Sequence, residues 1–158
     1  MQRADKKKLL HFIESVIAGV GALIGLAFIG LIAEKANTLL IIAPFGATAV
    51  LLFSAPKSPF SHPWNIFGGY VISTTLGMFI VTYTQAGWLP VGIGLGLTIM
   101  LMHWGRVIHP PAGANFLIVT QGHLSFYLFE PLVLGLIALV IIAMSIERIK
   151  KKIGVYFE

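Results

Sequence analysis

The densest group of side chains in this sequence that could bind or move something is the run His109-Pro110-Pro111-Ala112-Gly113-Ala114-Asn115, with Arg106 just ahead of it. A guanidinium, an imidazole and a carboxamide this close together supply hydrogen-bond donors for a small anion, and the imidazole can also relay a proton. The two prolines remove two backbone N–H donors and hold the residue before each of them extended. The chain therefore comes into the run unwound and starts a short helix with proline in its first turn. The N–H groups at such a start are unpaired and lie at the positive end of the helix dipole, which favours an anion.

A second run has the same form. Pro44-Phe45-Gly46-Ala47-Thr48 aligns with Pro111-Ala112-Gly113-Ala114-Asn115 at an offset of 67 residues, and that offset also carries Ser58 onto Ser125 and Gly68 onto Gly135. Gly46 and Gly113 leave room for a ligand to reach the backbone, while Thr48 and Asn115 add polar side chains in the first turns. Close helix packing through small residues is the competing explanation for both runs. It accounts less well for the prolines, which interrupt a span at a cost that packing alone does not require.

Other chemistry is sparse. His62, His103, His109 and His123 show no metal-ligand spacing, and Glu34 and Glu130 are distant in sequence, so no metal or other cofactor is expected. The sequence has no cysteine, no phosphate-binding loop, no catalytic triad and no paired carboxylates, which argues against an enzyme. His109 can contact a ligand or cap the broken backbone, and Arg106 can draw in an anion or anchor topology; the residues leave both choices open. His103 reads as interfacial, Glu130 as a helix-start carboxylate, and Glu14 as interfacial or proton-carrying.

The elements that must position these groups follow from composition. Hydrophobic residues make up 57% of the 158 and charged residues 11%, with a mean hydropathy of +0.90, so the chain reads as one all-α integral membrane domain over 1–158. Continuous spans are expected at His11–Ala33, Pro63–Thr84, Trp88–Arg106 and Phe126–Ile146. Two further stretches, Thr38–Ser54 and Gly105–Gln121, are broken by proline into half-helices too short to cross alone.

The fold class is thus four continuous transmembrane helices plus two Pro-broken half-helix elements, arranged as an inverted repeat of about 11–84 and 86–147 between basic tails 1–10 and 148–158. If the broken elements are re-entrant, Lys57 and Arg106 lie opposite the termini. If each crosses, Lys57, Arg106 and both terminal clusters share one face, the arrangement that the positive-inside rule favours. That rule puts both termini in the cytoplasm or an equivalent stromal-type compartment, and the protein is expected in the inner or plasma membrane. The net charge of +5 sits in clusters abutting spans, which points to lipid and topology rather than nucleic acid. Trp64, Trp88, Trp104 and Tyr127 fall near span ends as an aromatic belt. Gly21-x-x-x-Gly25 and Gly92-x-Gly94-x-Gly96 suit either the protomer core or a homo-oligomer interface.

The paired runs Ala43-Pro44-Phe45-Gly46-Ala47-Thr48 and His109-Pro110-Pro111-Ala112-Gly113-Ala114-Asn115, together with Ala55-Pro56-Lys57-Ser58-Pro59, resemble the HPP family of small integral membrane proteins. The resemblance extends from about Gly19 to Ala143. It implies four transmembrane segments and, by analogy with members from photosynthetic lineages, nitrite transport. The expected function is a transporter or channel for a small inorganic anion. A membrane scaffold that binds a lipid or protein partner through its broken helices is the alternative, and an enzyme built on His109 a weaker one.

Overall fold

An apolar chain in a bilayer must satisfy its backbone polar groups internally, and helices do so within one segment. The computed structural model describes residues 3–35, 37, 43–85, 87–122 and 129–154. Helices α1 (Arg3–Lys35), α2 (Ala43–Ser54), α3 (Pro63–Tyr83), α4 (Trp88–Trp104), α5 (Pro110–Thr120) and α6 (Phe129–Ile153) occupy these residues, with a 3-10 turn at Pro59–Ser61 and no strand among them. The expected lead-in over 38–42, together with Ser125, His123 and Tyr127, lies outside the described residues.

Asp5–Lys35, Pro63–Tyr83 and Glu130–Ile153 are long and apolar enough to cross a membrane by length and composition. The fourth expected span is shorter than the sequence suggests. Helix α4 has 17 residues, about 25 Å at 1.5 Å per residue against a hydrocarbon core of about 30 Å. It stops because the chain turns at Arg106, whose φ is 55°. Arg106 N–H donates to His103 O at 3.1 Å and Val107 N–H to Met102 O at 2.9 Å, and Val107 and Met102 pack in one apolar cluster. This is a Schellman ending with arginine where glycine is usual. Asn37, Gly122 and Gly154 take the same left-handed conformation just beyond α1, α5 and α6. In contrast, α1 and α6 run past the expected spans into the basic tails, because lysine and arginine continue a helix readily once it has started.

The expectation that the residue before each proline is extended holds only in part: Pro110, before Pro111, already lies in α5 and Ala43, before Pro44, in α2, because the first turn of a helix tolerates proline. His62 and His109, each preceding a proline, are extended. His62 also caps α3, its Nδ1 accepting from Trp64 N–H at 3.3 Å. The end of α2 is closed by Ser61, whose hydroxyl lies 3.0 Å from Leu51 O and 2.7 Å from Ala55 O and donates to them.

Helix α1 packs on α6 and α2, α3 on α5 and α4, and α4 on α5, while α2·α5, α2·α6 and α3·α6 join these groups. Each of these contacts has a counterpart when α1 is exchanged with α4, α2 with α5 and α3 with α6. Burial follows the 67-residue offset too: Pro44, Phe45, Thr48, Ala49 and Leu52 are buried in α2, and Pro111, Ala112, Asn115, Phe116 and Val119 in α5. Glycines set the approach distances. A Cβ on Gly21 would come within 2.7 Å of Phe53 Cδ1, and one on Gly25 within 2.6 Å of Leu139 Cδ1, so this pair builds the protomer core. Gly94 likewise faces Phe116, whereas Gly92 and Gly96 meet nothing within 4 Å.

The two ends of the molecule differ. His11 and Glu14 of α1, Lys57 and Ser58 after α2, and Glu147 and Lys150 of α6 surround one cavity. Thr84 and Gln85 after α3, Val91 in α4, and Thr120 and Gln121 at the end of α5 surround another.

Two outcomes follow for stability in detergent, read by thermal unfolding. Arg106→Gly removes the left-handed penalty of a residue with a Cβ and should stabilise by about 1 kcal/mol. Gly69→Ala should destabilise by about 1–3 kcal/mol, because its Cβ would sit 2.9 Å from His109 Cβ and 3.2 Å from Ala112 Cβ. Gly46→Ala, which meets nothing within 4 Å, should show no such loss.

Candidate functional site

The buried residues of α3, namely Ile66, Gly69, Tyr70, Ser73, Thr74, Gly77 and Ile80, recur at helical spacing and form one face. Three of them carry hydroxyls. Against this face lie Thr48 of α2, Asn115 of α5 and His109 at the start of α5, all with 0% exposure. Polar groups this deep must bond to one another.

They do so in an ordered chain. His109 Nδ1 lies 2.8 Å from Phe60 O, and since a carbonyl only accepts, Nδ1 carries hydrogen. In the neutral ring Nε2 is then an acceptor, and Thr48 Oγ1 at 3.0 Å donates to it. Thr48 has one hydrogen, so Tyr70 OH at 3.1 Å donates to Thr48. The ring of Tyr70 also packs between His109, with centroids 5.6 Å apart, and Phe45, at 6.1 Å. If Nε2 took up a proton, the Thr48 bond would reverse and the hydroxyls would rotate, with no heavy atom displaced. The imidazole does not cap α5. Its ring turns to the 3-10 turn and to α2, and only its backbone carbonyl serves the helix, accepting from Ala112 N–H at 2.9 Å.

Asn115 continues the polar strip. The Ser73 hydroxyl donates to Tyr70 O at 3.1 Å, so its oxygen faces Asn115 as an acceptor. This fixes the carboxamide: Nδ2 donates to Ser73 Oγ at 2.9 Å and Thr74 Oγ1 at 2.8 Å. Asn115 Oδ1 is buried with no hydrogen-bond partner. The atom left over is thus an acceptor, although the sequence suggested Asn115 as a donor.

The residues singled out in the sequence divide. Thr48, His109 and Asn115 come together on α3, with Pro44, Phe45, Pro111 and Ala112 buried around them. Arg106, Ala47 and Pro110 are exposed, and Arg106 sits on the turn that ends α4. Gly46, Gly113 and Ala114 are half-buried; Gly113 faces Leu95 of α4 at 3.8 Å in a groove shared with Gly96 and Met100. The interior cluster consequently holds one imidazole and otherwise uncharged groups. Glu14 lies instead at the charged cavity, and Trp64, Trp88 and Trp104 are highly exposed, as an aromatic belt requires.

Sequence reasoning missed Tyr70, Ser73, Thr74 and the Phe60 carbonyl. The first three carried a signal, since they are polar residues at helical spacing within an otherwise apolar span, beside Gly69 and Gly77. The carbonyl of Phe60 carried none.

Comparison with known proteins agrees with this membrane architecture. The chain is 32% identical over 125 residues to one transmembrane protein of Dictyostelium discoideum, covering 73% of the chain and 40% of that protein. It is 30% identical over 129 residues to a second from the same organism, covering 76% and 45%. The chain thus spans less than half the length of these curated relatives. No solved structure matches. The HPP transmembrane-region family matches residues 7–154, and the chain belongs to that family.

Proposed function

We propose that the protein is a membrane transporter or channel for a small inorganic anion, with nitrite the leading candidate by family resemblance, and that it performs no enzymatic chemistry. The observation that carries this reading is the buried 3.0 Å contact between Thr48 of one Pro-broken helix and His109 at the start of the other. Two interrupted helices meeting through polar side chains in a membrane core is the arrangement in which transporters hold a substrate or ion. An anion would be held at the positive ends of the two helix dipoles, with the Thr48 and Tyr70 hydroxyls turning from their present partners toward it. Arg106, exposed at the end of α4, suits drawing an anion to the mouth.

The accompanying topology is six crossings in two inverted three-helix units. The exchange of helix contacts and the shared burial pattern at offset 67 support the repeat. Lys57 lines a cavity with His11 and Lys150, which supports placing it on the side of both termini rather than opposite them. The His109–Phe60 bond brings the start of α5, and Arg106 before it, toward the same end. Under the positive-inside rule this basic end is cytoplasmic.

Uptake of labelled nitrite into proteoliposomes tests the proposal. Thr48→Val leaves Tyr70 OH and His109 Nε2 without their shared partner, a loss of about 1–3 kcal/mol or roughly 5- to 150-fold in an equilibrium. Uptake should fall by about that factor, while Thr48→Ser, which keeps the hydroxyl, should retain it. Arg106→Gln should weaken apparent affinity more at low salt than at high salt. Normal uptake in both Thr48→Val and His109→Ala would remove the cluster from the transport path. No uptake by folded wild-type protein would leave the scaffold role in its place.

A further inference from the structure

The cavity at the end where α1 begins and α6 finishes has a volume of about 640 Å³ and changes character along its length. Its mouth carries His11, Glu14, Lys57 and Lys150, and its deeper walls are Ala18, Gly19 and Ala22 of α1 opposite Ala49, Val50 and Phe53 of α2. From His11 to Ala22 a helix rises about 16 Å, so the polar mouth lies at headgroup level when the apolar slot lies among acyl chains. A Cβ on Gly19 would meet nothing within 4 Å, and Val50 is 63% exposed. The slot is open to the bilayer.

Around the mouth stand cations from both ends of the chain. Lys6, Lys7 and Lys8 are exposed at the start of α1, and Arg148, Lys151 and Lys152 are exposed near the end of α6. Helices α1 and α6 pack side by side and both line the mouth, so these residues lie at the same end of the molecule despite their separation in sequence. Within the mouth, Glu147 already pairs with Lys150 at 2.7 Å.

We infer that this cavity binds one anionic phospholipid, its phosphate at the mouth beside the exposed cations of α1 and α6 and one acyl chain in the slot between α1 and α2. The mouth balances Lys57 and Lys150 against Glu14 and Glu147, so the excess positive charge that favours an anionic headgroup comes from the exposed lysines and arginine at that end. The apolar slot beneath selects a lipid over a free phosphate. The inference is independent of the transport reading.

Native mass spectrometry of the whole protein in mild detergent, titrated with phosphatidylglycerol or phosphatidylcholine of the same acyl chains, tests it. A discrete one-to-one phosphatidylglycerol adduct is expected, with phosphatidylcholine bound more weakly, and soluble glycerol 3-phosphate in excess should not displace it. Gly19→Leu should abolish the adduct by filling the slot, and Val50→Trp provides a second blocking variant should the first fail to fold. Replacing Lys6, Lys7 and Lys8 by Gln should remove the preference for phosphatidylglycerol. Equal binding of the two lipids, displacement by glycerol 3-phosphate, or an adduct that survives in a folded slot-blocking variant would each overturn the inference.

Discussion

Polar side chains buried in an apolar chain find no partner in lipid, and the bond from Thr48 of α2 to His109 at the start of α5 is how this protein pairs two of them. The imidazole reaches α2 through Nε2 and the 3-10 turn through Nδ1, so a single side chain ties together three elements. Without these partners the fully buried imidazole would be unpaired, and the penalty for that is larger than the net gain from an ordinary hydrogen bond. The start of α5, the middle of α2 and the turn after α2 are held in register by this one contact set.

Helix α3 provides the surface on which that contact is made. Its buried face sets three hydroxyls between two glycines, and the two kinds of residue act together. Gly69 lets His109 and Ala112 approach, and Gly77 admits Val119, which brings the short helix α5 close enough for Asn115 to reach Ser73 and Thr74. Close approach of backbones and satisfaction of buried polar groups are thus one constraint. The cost is a single unmatched acceptor, Asn115 Oδ1, at the end of the strip.

Charge is arranged on a larger scale than the polar core. The interior cluster holds no lysine, arginine or carboxylate, whereas cations from α1, the turn after α2 and α6 collect at one end. Keeping fixed charge out of the core limits the desolvation it must bear, and concentrating it at one end gives the molecule an orientation. The same end contains the amphipathic cavity, so surface charge and the shape of the α1–α2 slot meet there.

The sequence alone determined the all-helical membrane class, the helix starts at Pro44 and Pro111, the 67-residue offset between those runs and the resemblance to the HPP family. These are local matters: proline stops a helix, an apolar run spans, and an offset is visible without coordinates. It also pointed to Thr48, His109 and Asn115, because polar side chains beside a helix break have few places to go. Only the tertiary structure decided which of the candidates meet. Arg106 and His109 are three residues apart, yet the left-handed turn at Arg106 leaves one exposed and the other buried. Tyr70, Ser73 and Thr74 joined the site through the packing of α3 on α5, and the Phe60 carbonyl through a contact 49 residues away in sequence. The orientation of Asn115 was likewise not legible, since which end of a carboxamide stays unpaired depends on where its neighbours' hydrogens are already committed.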